Sequence, residues 1–378
     1  MAFPRDNIRV TLGIALIAAI QIANAAENAW SRCATVDVPL TVGPNVIVER
    51  ELVGCDGIAT RRTRGKGTVV YIVDTGIDAG HDEFLREDGS SKVIGGLDPL
   101  AELSASPSTC ANDTPTHPCN DPSALVVLSH GTAVASVVAG RNVGLAPDAV
   151  LVSVRAFGLG RLKTGLTEMD IFVRALDDIV KQAFDPSTPP FKTAIVNMSA
   201  TPGATTAAGW SELERKMRLM IGGVDADFNP DPNGKRFLFV TSAGNNEPPS
   251  SDPMKSRGQC RLDNTVLYYP SAAGSAIDGL VTVGGVDRQN HVWAGSCTGS
   301  SIDILAPAEN LLVASISGHN RYRGFEKSAD GMFVEDFTSG TSYAAPYVSA
   351  IAARMLESDP TLTPVEIERR MKALSTRP

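Results

Sequence analysis

The sequence has little of what would mark a nucleic-acid binder, a thiolate metalloprotein, a multi-span membrane protein or a repeat array. Its formal net charge is −8, and its one dense basic run is Arg61, Arg62, Arg64 and Lys66. A nucleic-acid binder gathers Lys and Arg on one face, whereas this short run ahead of the first strand reads as a solvated loop. No CxxC pair and no His/Cys spacing of zinc type occurs, which argues against a thiolate metal site. There is no internal repeat and no low-complexity block of the kind that stays disordered. Histidine is scarce, with five in 378 residues, so each can be tested singly. Beyond Ala25 no stretch is long and apolar enough to span a bilayer.

What is present begins with an export signal. Arg5 and Arg9 precede an apolar run over 10–22, interrupted by Thr11, Gly13 and Gln21, and Ala23-Asn24-Ala25 is a small-x-small cleavage site. An uncleaved anchor is the competing reading, but the run falls short of the ~20 apolar residues that a span requires. The chain therefore divides into a signal peptide (1–25), an N-terminal extension (26–64) and one domain (65–378). Export predicts a secreted or periplasmic protein without stable membrane association once the signal is removed. Cys33, Cys55, Cys110, Cys119, Cys260 and Cys297 follow the signal, and an even count in an exported chain suggests disulfides. Connectivity is open from sequence; the preferred set joins sequence neighbours, as Cys33–Cys55, Cys110–Cys119 and Cys260–Cys297.

With 43% hydrophobic residues the chain can bury a large core. Continuous apolar and β-branched runs over 68–73, 149–154, 193–197, 237–241 and 280–283 predict strands buried on both faces, as in a parallel sheet. Between them lie helical patterns over 166–184, 211–221, 343–356 and 363–374. In the last, Thr363 is a cap with Glu366 three residues on. This alternation predicts an α/β fold: a doubly wound, mainly parallel sheet with helices on both faces. The stretches 95–125 and 247–269, rich in Pro, Ser, Asn and Asp, read as loops or insertions.

Four segments stand where such a sheet places reactive groups, at strand ends or following helix starts. Val73-Asp74-Thr75-Gly76-Ile77-Asp78 ends a buried strand, so Asp74 can be held by hydrogen bonds; taken alone, a helix-cap or turn Asp is the better reading. His130 opens an apolar helical run in Ser129-His130-Gly131-Thr132-Ala133-Val134-Ala135-Ser136, where small neighbours allow close approach. In Ser339-Gly340-Thr341-Ser342-Tyr343-Ala344-Ala345-Pro346 the proline belongs in a first helical turn, which predicts a helix start near Ser342 or Tyr343. Ser342 would then sit at the positive end of a helix dipole beside unpaired backbone N–H groups; the plainer reading is an N-cap serine. Thr241-Ser242-Ala243-Gly244-Asn245 follows a strand, and the Asn245 amide can donate to a developing oxyanion.

Taken together, in the order Asp, His, Asn, Ser, these segments resemble the three active-site signatures of the subtilase family of serine peptidases, over about residues 66–375. The resemblance implies a subtilisin-like fold and the following roles. Ser342 is the nucleophile, His130 the general base, Asp74 the group that orients His130, and Asn245 with the Ser342 backbone N–H the oxyanion hole. Ser199 and Ala200, in Met198-Ser199-Ala200, would pair with extended substrate by main-chain hydrogen bonds, and Ser242, Ala243 and Gly244 would help line the pocket beside the scissile bond. Protein or peptide substrates and a monomer follow from the same resemblance. No cofactor is required for catalysis; structural calcium is common in the family, but no ligands are assigned, and Asp113, Asp121 and Asp252 read as loop carboxylates.

Two departures are visible. Only about fifty residues separate Ala25 from Asp74, too few for the folding propeptide such enzymes commonly carry. The segment Thr201-Pro202-Gly203 stands where glycines usually come sooner. Two other functions compete. A silent peptide-binding protein on the same scaffold is one, although all four catalytic positions hold competent residues. A sedolisin-type peptidase is the other, and the His130 motif argues against it.

Overall fold

The computed structural model describes residues 63–105, 130–158, 162–200, 207–246, 260–262, 269–287, 291–316 and 338–374, together with the backbone of 38–41, 47–50, 321–324 and 333–335. The expected signal, Asp113, Asp121, Asp252 and four of the six cysteines lie outside these. Strands β1 (Val38–Thr41) and β2 (Ile47–Arg50) form an antiparallel pair of their own.

The main sheet has seven strands. They are β3 (Val69–Asp74), β4 (Val93–Leu97), β5 (Val150–Arg155), β6 (Thr193–Met198), β7 (Arg236–Ser242), β8 (Leu280–Val286) and β9 (Ile304–Pro307). Their order is β4-β5-β3-β6-β7-β8-β9, and every pairing is parallel. The chain starts inside the sheet at β3, winds outward to β4 and β5, then passes over β3 to β6. Ligands bind at the carboxyl ends of strands beside such a reversal. A small three-stranded sheet, β10 (Val313–Ser315), β11 (Arg321–Gly324) and β12 (Phe333–Glu335), stands apart from it.

Alternation along the buried strands gives the sheet two apolar faces. Val70 and Ile72 of β3 join Ile195, Leu238 and Val281 under helices α2 (His130–Ala139) and α5 (Thr341–Ser358). Val69, Tyr71 and Val73 point the other way, with Val196, Phe237 and Phe239, toward α3 (Glu168–Ala183) and α4 (Ala207–Gly222). Each such fully buried apolar side chain contributes about 1.5–3 kcal/mol, which is why these strands are written as mainly apolar runs. The doubly wound parallel sheet expected from the sequence is therefore present. Helix α6 (Pro364–Leu374) opens with the expected capping box: Thr363 N donates to Glu366 Oε2 at 2.9 Å, and Glu366 N to Thr363 Oγ1 at 3.3 Å.

Two local expectations are corrected. The stretch from 95 is not all loop, because Val93–Leu97 is the edge strand β4 and Pro99–Leu103 forms a helix, α1. Gly95 and Gly96 weaken the strand signal and leave an irregular register between Val93 and Gly96. Asp98 caps α1, its Oδ1 accepting from Ala101 N at 2.9 Å. Helix α5 begins at Thr341 with Gly340 as N-cap, so Pro346 falls in its second turn rather than its first. The proline cannot donate to the Ser342 carbonyl, a missing bond that packing of the buried Ala344–Tyr347 stretch offsets.

Candidate active site

Asp74 is the last residue of β3 and is wholly buried. Its carbonyl accepts from Ala156 N and Phe157 N at 2.8 and 3.1 Å. Its carboxylate accepts from Thr75 N at 2.7 Å and faces His130, whose Nδ1 lies 2.9 Å from Oδ1 and 3.0 Å from Oδ2. A carboxylate only accepts, so the contact places the proton on Nδ1 and leaves Nε2 as the basic nitrogen. The His130 side chain is 24% exposed, against 0% for Asp74. One partner is thus desolvated and fixed while the other can meet a reactant.

His130 owes its place to the close approach of α2 to the end of β3. A Cβ on Gly131 would lie 2.3 Å from Gly76 O, so no larger residue fits there. Thr75 Oγ1 accepts from Gly131 N at 2.9 Å, and Thr132 Oγ1 accepts from Asp78 N at 2.9 Å, joining helix to turn twice. At the other end of α2 Lys92 Nζ donates to Ala139 O at 2.9 Å and to Pro147 O at 2.7 Å. A cation there complements the negative end of the helix dipole. Burial pushes the Lys92 ammonium down to about 8.

Ser342 is the second residue of α5 and is half-buried. Tyr343, beside it, turns its ring to His130 with centroids 5.7 Å apart. Asn245 leaves the end of β7 and is exposed. Its Oδ1 accepts from Thr341 N at 2.9 Å and Thr341 Oγ1 at 3.0 Å. A backbone N–H can only donate, so these bonds settle the amide orientation and leave Nδ2 free to face the start of α5. A Cβ built on Gly340 would stand 3.5 Å from Asn245 Nδ2 and 3.8 Å from Ser342 N. Two N–H groups therefore border one small space, an arrangement suited to an oxyanion.

Ser199 lies just past β6 and is buried, and Ala200 is half-buried. Ser199 Oγ accepts from Asn197 Nδ2 at 2.8 Å, and its carbonyl accepts from Ser242 Oγ at 3.1 Å. Ser242 and Ala243 are both buried. Ala243 packs in a small cluster with Leu262, Ala272 and the two cysteines Cys260 and Cys297, which are joined in a disulfide as expected. Gly244 passes over that bridge: a Cβ on it would lie 3.1 Å from Cys297 Sγ, and its carbonyl accepts from Cys297 N at 2.9 Å. Among the described residues no group of three or more His, Cys, Asp or Glu side chains converges as a metal site, and no helix is long and apolar enough to cross a membrane.

Sequence reasoning gave no role to Thr341, Gly131 or Tyr343. Each sits inside a quoted motif, but its part depends on a partner from another element.

The family model described as the Subtilase family matches residues 65–376. Mycosin-1 of Mycobacterium tuberculosis is 26% identical over 337 residues, covering 83% of this chain and 65% of its own length. The extracellular serine proteinase of a Thermus species is 26% identical over 336 residues, covering 89% of this chain and 62% of its own. This chain thus spans less than two thirds of the length of these curated relatives. The crystal structure of a cold adapted subtilisin-like serine proteinase matches with a TM-score of 0.55 at 22% identity, covering 89% of each chain, a likeness of fold. With the family model matched over the whole sheet and both motif-bearing helices, the chain belongs to the subtilase family.

Proposed function

We propose that this chain is an exported serine endopeptidase that hydrolyses peptide bonds of proteins or peptides through Asp74, His130 and Ser342. The observation that carries the reading is the contact of the wholly buried Asp74 carboxylate with His130 Nδ1, at 2.9 and 3.0 Å. A buried carboxylate held against a part-exposed imidazole stabilises the imidazolium that forms when His130 acts as base.

In this reading His130 Nε2 takes the Ser342 hydroxyl proton as Oγ bonds to the scissile carbonyl carbon. The carbonyl oxygen becomes an oxyanion, and Asn245 Nδ2 and Ser342 N–H donate to it. Collapse breaks the C–N bond, and His130 returns its proton to the leaving amine. Water then repeats the sequence on the acyl-enzyme, releasing the acid and restoring Ser342. Segment 199–200 receives the substrate backbone as an added strand. The apolar run and small-residue cleavage site at the N-terminus support export, as does the word "extracellular" in the name of the Thermus relative.

Labelling purified protein with a fluorescent phosphonate, wild type beside Ser342→Ala, tests this. Labelling and peptide turnover should both vanish in the variant, by about 10⁶-fold in kcat if it follows the figure known for subtilisin itself. Turnover retained in Ser342→Ala would sink the reading, and well-folded wild type that takes no label would favour a silent binding protein.

A further inference from the structure

A buried polar chain runs through the apolar core between the elements that carry the proposed site. Ser349 on α5 donates from Oγ to Asn197 Oδ1 at 2.9 Å. Asn197, near the end of β6, donates from Nδ2 to Ser199 Oγ at 2.8 Å. The Ser199 carbonyl accepts from Ser242 Oγ at 3.1 Å, and the Ser242 carbonyl accepts from Ser271 Oγ at 2.6 Å. Asn197, Ser349 and Ser271 are all 0% exposed, Ser199 1% and Ser242 3%. Buried polar groups of this kind are costly unless satisfied, and once satisfied they admit one arrangement only.

The chain links three parts. Ser349 follows Ser342 by about two helical turns on the same side of α5. Ser199 begins the segment assigned to substrate pairing, and Ser242 precedes the Gly244-Asn245 turn. An apolar contact could slide between these elements at little cost, but the Asn197 amide cannot. Its oxygen must face a donor and its nitrogen an acceptor, in a low-dielectric interior without water to substitute.

We infer that Asn197 is a positioning residue, holding the Ser342 helix in register with the substrate-pairing segment at Ser199. The inference rests on the peptidase reading. Asn197 touches no reacting atom; it sets how a substrate bound along 199–200 presents its scissile bond to Ser342. A substrate that spans this segment depends on the register. A single-residue ester, which occupies only the space beside Ser342, does not.

The test compares wild type, Asn197→Ala and Ser349→Ala on a tetrapeptide anilide and a single-residue ester with the same acyl residue. Active enzyme is counted by phosphonate titration. Per titrated site, kcat/KM for the tetrapeptide should fall roughly 10- to 100-fold in Asn197→Ala, the scale of a small misplacement, while the ester falls far less. Ser349→Ala, which cuts only the link to α5 and removes a single hydroxyl, should shift the same ratio in the same direction even if Asn197→Ala folds poorly. Equal losses on both substrates, or none per titrated site, would overturn the inference and leave Asn197 a core amide. Wild type that cleaves neither substrate and takes no phosphonate would overturn the peptidase reading, and the inference with it.

Discussion

Thr341 holds Asn245 from two atoms at once: its backbone N–H and its hydroxyl both donate to Asn245 Oδ1, at 2.9 and 3.0 Å. The same hydroxyl accepts from Gly244 N at 3.0 Å. The residue before the proposed nucleophile thus aims the proposed oxyanion donor. Asn245→Ala should lower kcat about 10²- to 10³-fold with little change in KM, the loss that subtilisin itself sets for such a donor. Thr341→Val, which keeps the backbone bond, should give a smaller loss in kcat. An Asn245→Ala enzyme that loses only KM would refute the assignment.

Gly340 borders the space between Asn245 Nδ2 and Ser342 N, with φ 163°, an extended conformation open to any residue. Its nearest neighbours would meet an added methyl at 3.5 to 3.8 Å, ordinary contact. Gly340→Ala should therefore keep the wild-type Tm yet lose most of its kcat, because the methyl occupies the oxyanion's space. Calorimetry beside steady-state kinetics separates these effects; unchanged kcat would place the oxyanion elsewhere.

Asp74→Asn should cost about 10⁴-fold in kcat, the scale known for this exchange in serine peptidases. An amide nitrogen facing His130 Nδ1 would favour the tautomer with the proton on Nε2, where the base is needed. NMR of the imidazole nitrogens in the variant should show that tautomer, and fast turnover without it would contradict the assigned role.

The Cys260–Cys297 bridge closes a loop with a sequence separation of 37. Replacing both cysteines by Ala should destabilise the fold by about 3–4 kcal/mol on the loop-entropy account. Because Gly244 and Ala243 pack on the bridge, hydrogen exchange should rise first at residues 243–246, and uniform exchange across the sheet would argue against that local coupling.

Lys92 gives a pH signature. Its ammonium is held near 8 in the fold against 10.5 when solvated. Between those values the unfolded chain binds the proton and the folded chain does not, so this group makes stability rise with pH, while below 8 its contribution is flat. Urea melts from pH 8 to 10 should show a steeper rise for wild type than for Lys92→Met. Parallel slopes would mean that the two carbonyl partners, Ala139 and Pro147, hold the charged form after all.

Much of this protein was legible in its sequence because strands buried on both faces write themselves as unbroken apolar runs. Residues 68–73, 193–197 and 237–241 became β3, β6 and β7 with ends shifted by a residue or so. Strand β9, the four residues Ile304–Pro307, was missed because so short a run carries no period. Edge strand β4 was missed because Gly95 and Gly96 mask it. Thr363 and Glu366 declared their helix start directly, since a capping box is a contact between residues three apart.

Local chemistry thus determined the long buried strands, the capped start of α6 and the identity of the reactive side chains, because each depends on neighbours along the chain. Tertiary structure decided which of them meet. Asp74 reaches His130 across 56 positions, and Asn245 reaches Thr341 across 96. Asn197 and Ser349, 152 apart, read in sequence as one amide at a strand end and one serine in an apolar helix. Their pairing exists only because the sheet and α5 are packed face to face, where water is excluded and each polar atom must find its partner within the protein.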